Sequence, residues 1–322
     1  MVKVLIIRDK TRSFNGGIKR HCSDLKELMS NYKDLTIAPI EDIPSKYLKL
    51  FRKSVFRSKE LNSYIIQNSC DVVHIHGFMS LGVIQAIKTA YKLKKKIIYS
   101  PHFHPFEYLK NPILGKLFFY IFLKPLLHKI DTIITINKED TLFFRNIHPK
   151  VVQIPHWTTH TNLLHSNFPK RKNMILFVGR NDDNKGLEHL YHLPPYYEVH
   201  CVTKGPIERS DFILHENIND YELTLLYQQA SLVTIPSKYE AFSLVALEAL
   251  SNHTPIVLSN HVRIADYLSG NNGYCIFKYH NYNDFNYAIK KVMEMKNIDF
   301  NQLLLPFNPK DIQEKYYQIY NN

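Results

Sequence analysis

Short apolar runs alternate with polar and turn-forming segments along the chain. Strands are predicted at residues 2–7, 71–77, 131–136, 151–155, 174–178, 199–203, 211–214, 232–235 and 255–258. Apolar positions with helical spacing predict helices at residues 18–29, 220–229, 243–250 and 309–322. We expect the strands to form parallel α/β sheets, in which ligands gather at the carboxyl ends of strands.

Residues 112–130 are the most apolar stretch of the chain. Lys116, Lys124 and Pro125 interrupt this stretch, so it falls short of the ~20 apolar residues of a membrane span. Its aromatic residues beside lysines suit a helix lying in a membrane interface. The alternative is a helix packed on a sheet.

Composition describes a globular chain with room for two domains. The 322 residues are 45% hydrophobic and 22% charged, which is typical of folded proteins. The four cysteines are scattered without a CxxC pair, which indicates free thiols in a reducing compartment. The amino terminus lacks the longer apolar region of a signal peptide, so we expect a cytoplasmic protein.

Charge is concentrated in the first half of the chain. Residues 1–150 hold 26 Lys and Arg against 12 Asp and Glu, a net charge of +14. Residues 151–322 hold 15 against 17, a net charge of −2. The first half is therefore expected to meet an anionic partner, with nucleic acid, an anionic membrane and a diphosphate-linked acceptor as candidates. No RNA-binding or helix-turn-helix motif supports the first of these.

Two carboxylates frame the apolar helix predicted at residues 243–250. Glu240 lies on the turn before this helix, and Glu248 lies within it among Leu, Val and Ala residues. A carboxylate in so apolar a segment is costly to bury unless a hydrogen-bond donor meets it. The free N–H groups at the start of the helix suit a phosphate. Together these features predict a nucleotide site, with sugar hydroxyls as partners of the glutamates.

A pair of cations follows the strand predicted at residues 174–178. Arg180 comes directly after Gly179, and Lys185 precedes Gly186. A planar guanidinium and a lysine point charge can together neutralise a diphosphate leaving group. Two acids lie in the same loop and are interpreted as loop charges, so no metal site is predicted.

Two loops of the first half carry further candidate residues. Gly16 and Gly17 stand between a strand and a helix, where a backbone can approach a phosphate closely. A histidine, His102 or His104, follows the strand that begins at Ile97.

The motifs resemble those of retaining glycosyltransferases of the GT-B fold, glycosyltransferase family 4 in particular. The spacing of Arg180 and Lys185 matches that family, and so does the segment in which seven residues separate the two glutamates. The matching residues of this segment are Pro236-Ser237, Glu240, Ser243, Leu244 to Leu247, Glu248-Ala249 and Thr254-Pro255-Ile256-Val257. Ser243 and His253 stand where the family usually has glycine.

The resemblance implies an α/β protein with two Rossmann-like domains facing a central cleft. It places an acceptor-binding domain at residues 1–155, a linker at 156–172 and a nucleotide-sugar domain at 173–307. Residues 308–322 would form a helix that crosses back to the first domain.

The resemblance also assigns roles to residues. Catalysis would involve His102, Glu240, Arg180 and Lys185. The nucleotide-sugar would be bound by Gly16, Gly17, Arg180, Lys185, Asn217, Phe242, Ser243, Leu244 and Glu248. Of the two glutamates, Glu248 would bind the ribose and Glu240 the sugar.

The activity implied is metal-independent transfer, with retention, of a hexose or N-acetylhexosamine from a nucleotide-diphosphate sugar, UDP-sugars being favoured. The acceptor would be a bacterial surface glycan or a polyprenyl-diphosphate-linked molecule, and the protein could lie on the inner face of the cell membrane. No cofactor besides the donor and no nucleic-acid partner is expected. The alternatives are a non-catalytic or lectin-like GT-B protein and a basic protein that binds anionic lipid or nucleic acid.

Overall fold

The computed structural model describes residues 1–8, 17–37, 45–48, 53–56, 58–78, 80–102, 106, 111–157, 169–270 and 272–322. These residues form two compact units. The first unit comprises Met1–His156 together with Pro309–Asn322, and the second comprises Trp157–Asn308. The carboxyl-terminal helix is therefore part of the first unit.

The first unit is built on a six-stranded parallel sheet in the order β2-β1-β5-β6-β7-β8. The six strands are β1 (Val2–Arg8), β2 (Leu35–Ile37), β5 (Val72–His76), β6 (Lys96–Ser100), β7 (Thr132–Thr135) and β8 (Val151–Gln153). A separate antiparallel pair joins β3 (Ser45–Leu48) to β4 (Lys53–Phe56). The helices are α1 (Gly17–Leu28), α2 (Ser58–Gln67), α3 (Leu81–Lys92), α4 (Pro112–Phe118) and α5 (Lys138–Arg145), together with the terminal Pro309–Asn321.

The second unit repeats this architecture with the strand order β11-β10-β9-β12-β13-β14, again all parallel. Its strands are β9 (Met174–Val178), β10 (Glu198–Val202), β11 (Ile213–His215), β12 (Leu232–Ile235), β13 (Ile256–Ser259) and β14 (Tyr274–Phe277). Its α-helices are α6 (Asp220–Gln229), α7 (Leu244–Ser251), α8 (Tyr282–Met293) and α9 (Phe300–Leu304). The terminal helix of the first unit is α10 (Pro309–Asn321).

Half of the interior strands, β5, β7, β12 and β13, are buried along their whole length, as parallel sheets covered on both faces require. All five residues of β5 and all four of β12 and β13 are buried. These strands are mainly apolar, with isolated buried polar residues such as His74, His76 and Thr234, and the sequence therefore located them well. The predicted strand at 174–178 and helix at 220–229 are confirmed to the residue.

The long apolar helix predicted at residues 112–130 is wrong as a single element. After α4 the chain forms a π-helical turn at Phe119–Leu123 and a 3-10 helix at Lys124–Lys129. Pro125 explains the break, because it has no N–H to donate and its ring clashes with the carbonyl of Ile121. Phe119 and Leu123 are buried against the core, whereas an apolar row on the other side is exposed: Ile113, Leu114, Leu117, Tyr120, Ile121 and Phe122. Among the described residues, no helix is long and apolar enough to cross a membrane.

Candidate active site

The carboxyl end of β9 leads into the loop that carries the predicted cations. Arg180 is largely exposed, and its Nη1 lies 2.9 Å from Asp182 Oδ2. The same aspartate accepts the backbone N–H of Asn184 through Oδ1, at 3.2 Å. Asp182 therefore orders this loop, in agreement with the interpretation of the two acids as loop charges.

Gly186 is required by the shape of this loop. Its φ is +69°, and a Cβ added there would lie 2.0 Å from the carbonyl oxygen of Pro236. The buried ring of His189 holds the same turn, since its Nδ1 lies 3.1 Å from Gly186 O and its Nε2 accepts the N–H of His280 at 3.3 Å. Burial lowers the pKa of His189. The loop therefore packs closely against Pro236, in the segment before Glu240. Sequence reasoning missed His189.

Lys185 and Glu240 form an ion pair across two loops. Lys185 Nζ lies 2.5 Å from Glu240 Oε1, and both side chains are largely shielded from solvent, with 19% and 12% exposed. Ser237 Oγ donates to the same carboxylate oxygen at 2.9 Å. The backbone of Glu240 is fixed as well, because its N–H bonds to His261 O and its carbonyl accepts from Arg263. A rigid, paired carboxylate therefore lies beside the cation loop.

The start of α7 follows this carboxylate. Ser243 caps the helix by accepting the N–H of Ala246 at 3.3 Å, and its φ is +103°. His253, after the helix, has a φ of +54°. Positive φ values favour glycine, which explains why the resembled family usually has glycine at both positions. In this chain Ser243 caps the helix with its side-chain oxygen, which a glycine at this position could not do.

Glu248 lies inside α7 and is half-buried. Its Oε2 accepts a hydrogen bond from the hydroxyl of Tyr227 on α6, at 2.9 Å. The cost of placing this carboxylate in an apolar helix is therefore offset by a tyrosine donor. The sequence contained Tyr227 in a correctly predicted helix, but nothing local indicated that it would face Glu248.

The other residues predicted in the second unit have different surroundings. Phe242 is buried against the rings of Tyr267 and Phe307, so its side chain packs in the core. Leu244 is the first residue of α7 and is half-buried. Asn217 is exposed in the loop before α6, with a φ of +56°.

In the first unit, the predicted residues lie at the carboxyl edge of the sheet where the structure describes them. Gly17 begins α1, whereas Gly16 and His104 lie outside the described residues. His102 directly follows β6, has a φ of +44°, and its Nε2 lies 3.0 Å from His76 Nδ1. Burial lowers the pKa of His102 to about 4, so its ring is neutral near pH 7.

Comparison with known proteins identifies the class to which these features belong. Residues 162–302 match the model of the family described as glycosyl transferases group 1. The chain is 24% identical over 298 residues to an uncharacterized 41.2 kDa protein in the cps region of Klebsiella pneumoniae, a match that covers 79% of this chain and 80% of that protein. It is 26% identical over 223 residues to the MMP alpha-(1->4)-mannosyltransferase of Mycolicibacterium hassiacum, covering 59% of this chain and 53% of that enzyme.

Solved structures give the same architecture. Sucrose-phosphate synthase of Thermosynechococcus elongatus superposes with a TM-score of 0.72 and 15% identity, covering 99% of this chain and 98% of that one. HepE of Anabaena, in complex with UDP and glucose, superposes with a TM-score of 0.70 and 12% identity over 100% of both chains. The fold is therefore GT-B, with two Rossmann-like domains. Residues 162–302 thus resemble glycosyl transferases group 1, and the resemblance to glycosyltransferases inferred from the motifs is confirmed.

Proposed function

We propose that this chain transfers a hexose or N-acetylhexosamine, with retention of anomeric configuration, from a nucleotide-diphosphate sugar to a bacterial surface glycan or lipid-linked acceptor. The observation that carries the proposal is the ion pair between Lys185 and Glu240, with Arg180 on the same loop. Cations for a leaving diphosphate and a carboxylate for a sugar are thus held side by side within the matched domain.

The leaving group is assigned to the two cations. Negative charge develops on the diphosphate as its bond to the sugar breaks. Hydrogen-bond donors and cations stabilise that charge most when they are in place before the reaction. Lys185 is held by its largely shielded pair with Glu240, whereas the exposed Arg180 lies beside Asp182 on the same loop. Two cations can supply the neutralisation that a metal ion supplies in other transferases. We therefore assign stabilisation of the leaving diphosphate to these two cations and not to a metal ion.

The two glutamates receive separate roles in the proposal. Glu248 would accept the ribose hydroxyls through the oxygens that its bond from Tyr227 leaves available. Glu240 would hold hydroxyls of the transferred sugar, sharing its carboxylate with Lys185 and Ser237. The capped start of α7 directs backbone N–H groups towards a phosphate. The contact of His102 with the sugar stays a prediction from the resemblance.

UDP-sugars are the favoured donors and surface glycans the favoured acceptors. Support for the donor comes from HepE of Anabaena, which was solved with UDP and glucose. Support for the acceptor comes from the relative in the cps region of Klebsiella pneumoniae.

One experiment tests the transferase proposal and its donor together. The purified chain is screened by thermal unfolding against UDP, GDP, ADP and their sugars, since a ligand that binds only the folded form raises the melting temperature. Sugar transfer from the best donor is then followed by NMR of the anomeric proton. Stabilisation by a nucleotide-sugar with slow release of nucleotide diphosphate is expected. A protein stabilised by free glycans alone, with no nucleotide released, would instead be the lectin-like alternative.

Anionic membrane is the proposed partner of the first unit. A groove of about 860 Å³ at the amino ends of β6, β7 and β8 is lined by Lys92, Lys94, Lys95, Lys96, Lys129 and Lys150. Lys96 donates to Ile319 O at 2.6 Å and so joins α10 to this edge. The other lysines suit lipid phosphates, and the exposed apolar row on residues 113–122 suits the acyl boundary.

A further inference from the structure

A group of histidine rings lies at the carboxyl edge of the first sheet. His21 lies on α1, His76 ends β5, and His102 follows β6. His156 follows β8 and completes the group. The ring centroids of the first three lie 5.3–5.5 Å from one another, and those of His21 and His156 lie 4.5 Å apart. Residues separated by up to 135 positions are therefore collected at one point of the fold.

Three of these rings have the mutual spacing of metal ligands. One ring nitrogen from each of His21, His76 and His102 lies within 4.8 Å of the other two. Zinc–nitrogen bonds of ~2.0–2.1 Å place tetrahedral ligand nitrogens roughly 3.3 Å apart. Small rotations of the three rings would therefore close the site around an ion. Among the described residues, this is the sole group of three or more histidine, cysteine or acidic side chains with that spacing.

The four rings are shielded from solvent. Burial lowers the pKa of His102 to about 4 and that of His156 to about 3, and it lowers the pKa of His21 and His76 well below the usual value.

The hydrogen bonds around the rings also resemble those of metal sites. His156 Nδ1 lies 2.8 Å from His21 Nδ1, so His156 fixes the orientation of the His21 ring and leaves the other ring nitrogen of His21 for a ligand. The buried Nε2 of His76 has no hydrogen-bond partner among the described residues. A buried polar atom without a partner is costly, and a bound ion would satisfy it.

The neighbouring His74 shows the contrasting arrangement. Its Nδ1 lies 2.8 Å from the hydroxyl of Tyr320, and its Nε2 lies 2.8 Å from Ser100 Oγ. Both of its ring nitrogens are therefore engaged by structural hydrogen bonds, and it is not one of the candidate ligands. His76 lies two residues further along the strand on the same face, and its unsatisfied nitrogen is therefore a feature of the cluster and not of every buried histidine here.

We propose that His21, His76 and His102 bind a divalent transition-metal cation, with His156 orienting His21. Zinc is the expected ion, because it is commonly available and three imidazoles suit it. Imidazole ligands select zinc, copper or nickel, whereas magnesium and calcium prefer oxygen ligands. His21 and His76 have no role in the proposed sugar transfer, whereas His102 is also the histidine predicted to contact the sugar, so zinc binding and that contact are alternative uses of one ring.

The test is calorimetric titration of zinc chloride into the untagged full-length chain after removal of metals with a chelator. Wild type is expected to bind about one equivalent. His76→Ala and His102→Asn are each expected to weaken binding by at least the ~10–100-fold that loss of an outer partner costs. Asn is chosen at position 102 because it tolerates the positive φ of that residue.

The matched control is His128→Ala, which removes an exposed histidine of the same unit from the lysine-lined groove. It should bind zinc as wild type does. Thermal unfolding of the metal-free proteins shows whether each variant is folded, and His102→Asn decides the matter if His76→Ala is not. Wild-type affinity in His102→Asn, or no binding by wild type, would overturn the metal site and leave a network of neutral histidines. Because the titration contains no sugar nucleotide, a failure to bind zinc overturns the metal site and leaves the transferase proposal standing.

Discussion

Lys185 Nζ lies 2.5 Å from Glu240 Oε1, although 55 residues separate them in the chain. The pair joins the cation loop after β9 to the turn before α7. Its two members were assigned different partners by resemblance, a diphosphate and a sugar. Because the two side chains are in direct contact, the diphosphate and the sugar of a bound nucleotide-sugar would meet at this pair. A ligand that binds there must share the lysine and the carboxylate that already hold each other.

Removal of either cation should slow transfer while the fold persists. Arg180→Ala and Lys185→Ala are each expected to reduce turnover on the order of 10²–10³-fold, because one donor is lost from a preorganised site. Turnover is measured by nucleotide diphosphate release with the donor found in the thermal screen. Lys204→Ala, which removes an exposed lysine of the same unit, is the matched control. Near wild-type turnover in both variants would remove the diphosphate role.

The two glutamates should separate in binding measurements. Glu248→Gln is expected to weaken the free nucleotide diphosphate about tenfold or more, since one hydrogen bond to a charged group contributes roughly 1.5–3 kcal/mol. Glu240→Gln should reduce transfer without weakening binding of the nucleotide diphosphate, because it frees Lys185 from its ion pair. Calorimetric titration of the nucleotide decides between them. If Glu240→Gln loses nucleotide affinity and Glu248→Gln keeps it, the roles are reversed.

Gly186 should be far more sensitive to alanine than a glycine in open space. At Gly186 a Cβ would meet a backbone oxygen at 2.0 Å, whereas at Gly205, with a φ of +97°, it would meet nothing within 4 Å. Positive φ alone costs about 1–2 kcal/mol for a residue with a Cβ. Gly205→Ala should lose about that much, and Gly186→Ala should lose clearly more, by denaturant unfolding. Equal losses would show that the Pro236 contact relaxes easily.

Membrane binding should depend on both charge and the exposed apolar row. Binding to anionic vesicles should weaken as salt rises, because exposed charges are screened over ~10 Å at 0.1 M. The double variant Leu117→Asp/Ile121→Asp should bind less than wild type in vesicle co-sedimentation. Leu305→Asp, which changes an exposed leucine of the second unit, should not. Equal binding to neutral and anionic vesicles would contradict the role of the lysines, and binding to acidic glycans alone would replace the membrane as partner.

Much of the fold followed from local pattern. Buried parallel strands must be apolar along their length, so β9 and β12 were found at their observed bounds. Arg180 and Glu240 could be named because each belongs to a short motif, and the spacing of residues within a motif is visible in the sequence. The positive φ of Ser243 could not be inferred from the sequence of this chain alone. The family that the chain resembles usually has glycine there, and glycine is the residue that a positive φ favours.

The pairings at the candidate sites were decided by tertiary structure alone. Tyr227 meets Glu248 because α6 and α7 pack together, and the histidine group forms because α1 and the ends of β5, β6 and β8 converge. Sequence analysis named His102, but the sequence could not show that His21 and His76 would lie beside it. A strand or helix is specified by neighbours a few positions away, whereas a site depends on distances between residues that only sheet order and helix packing bring within reach.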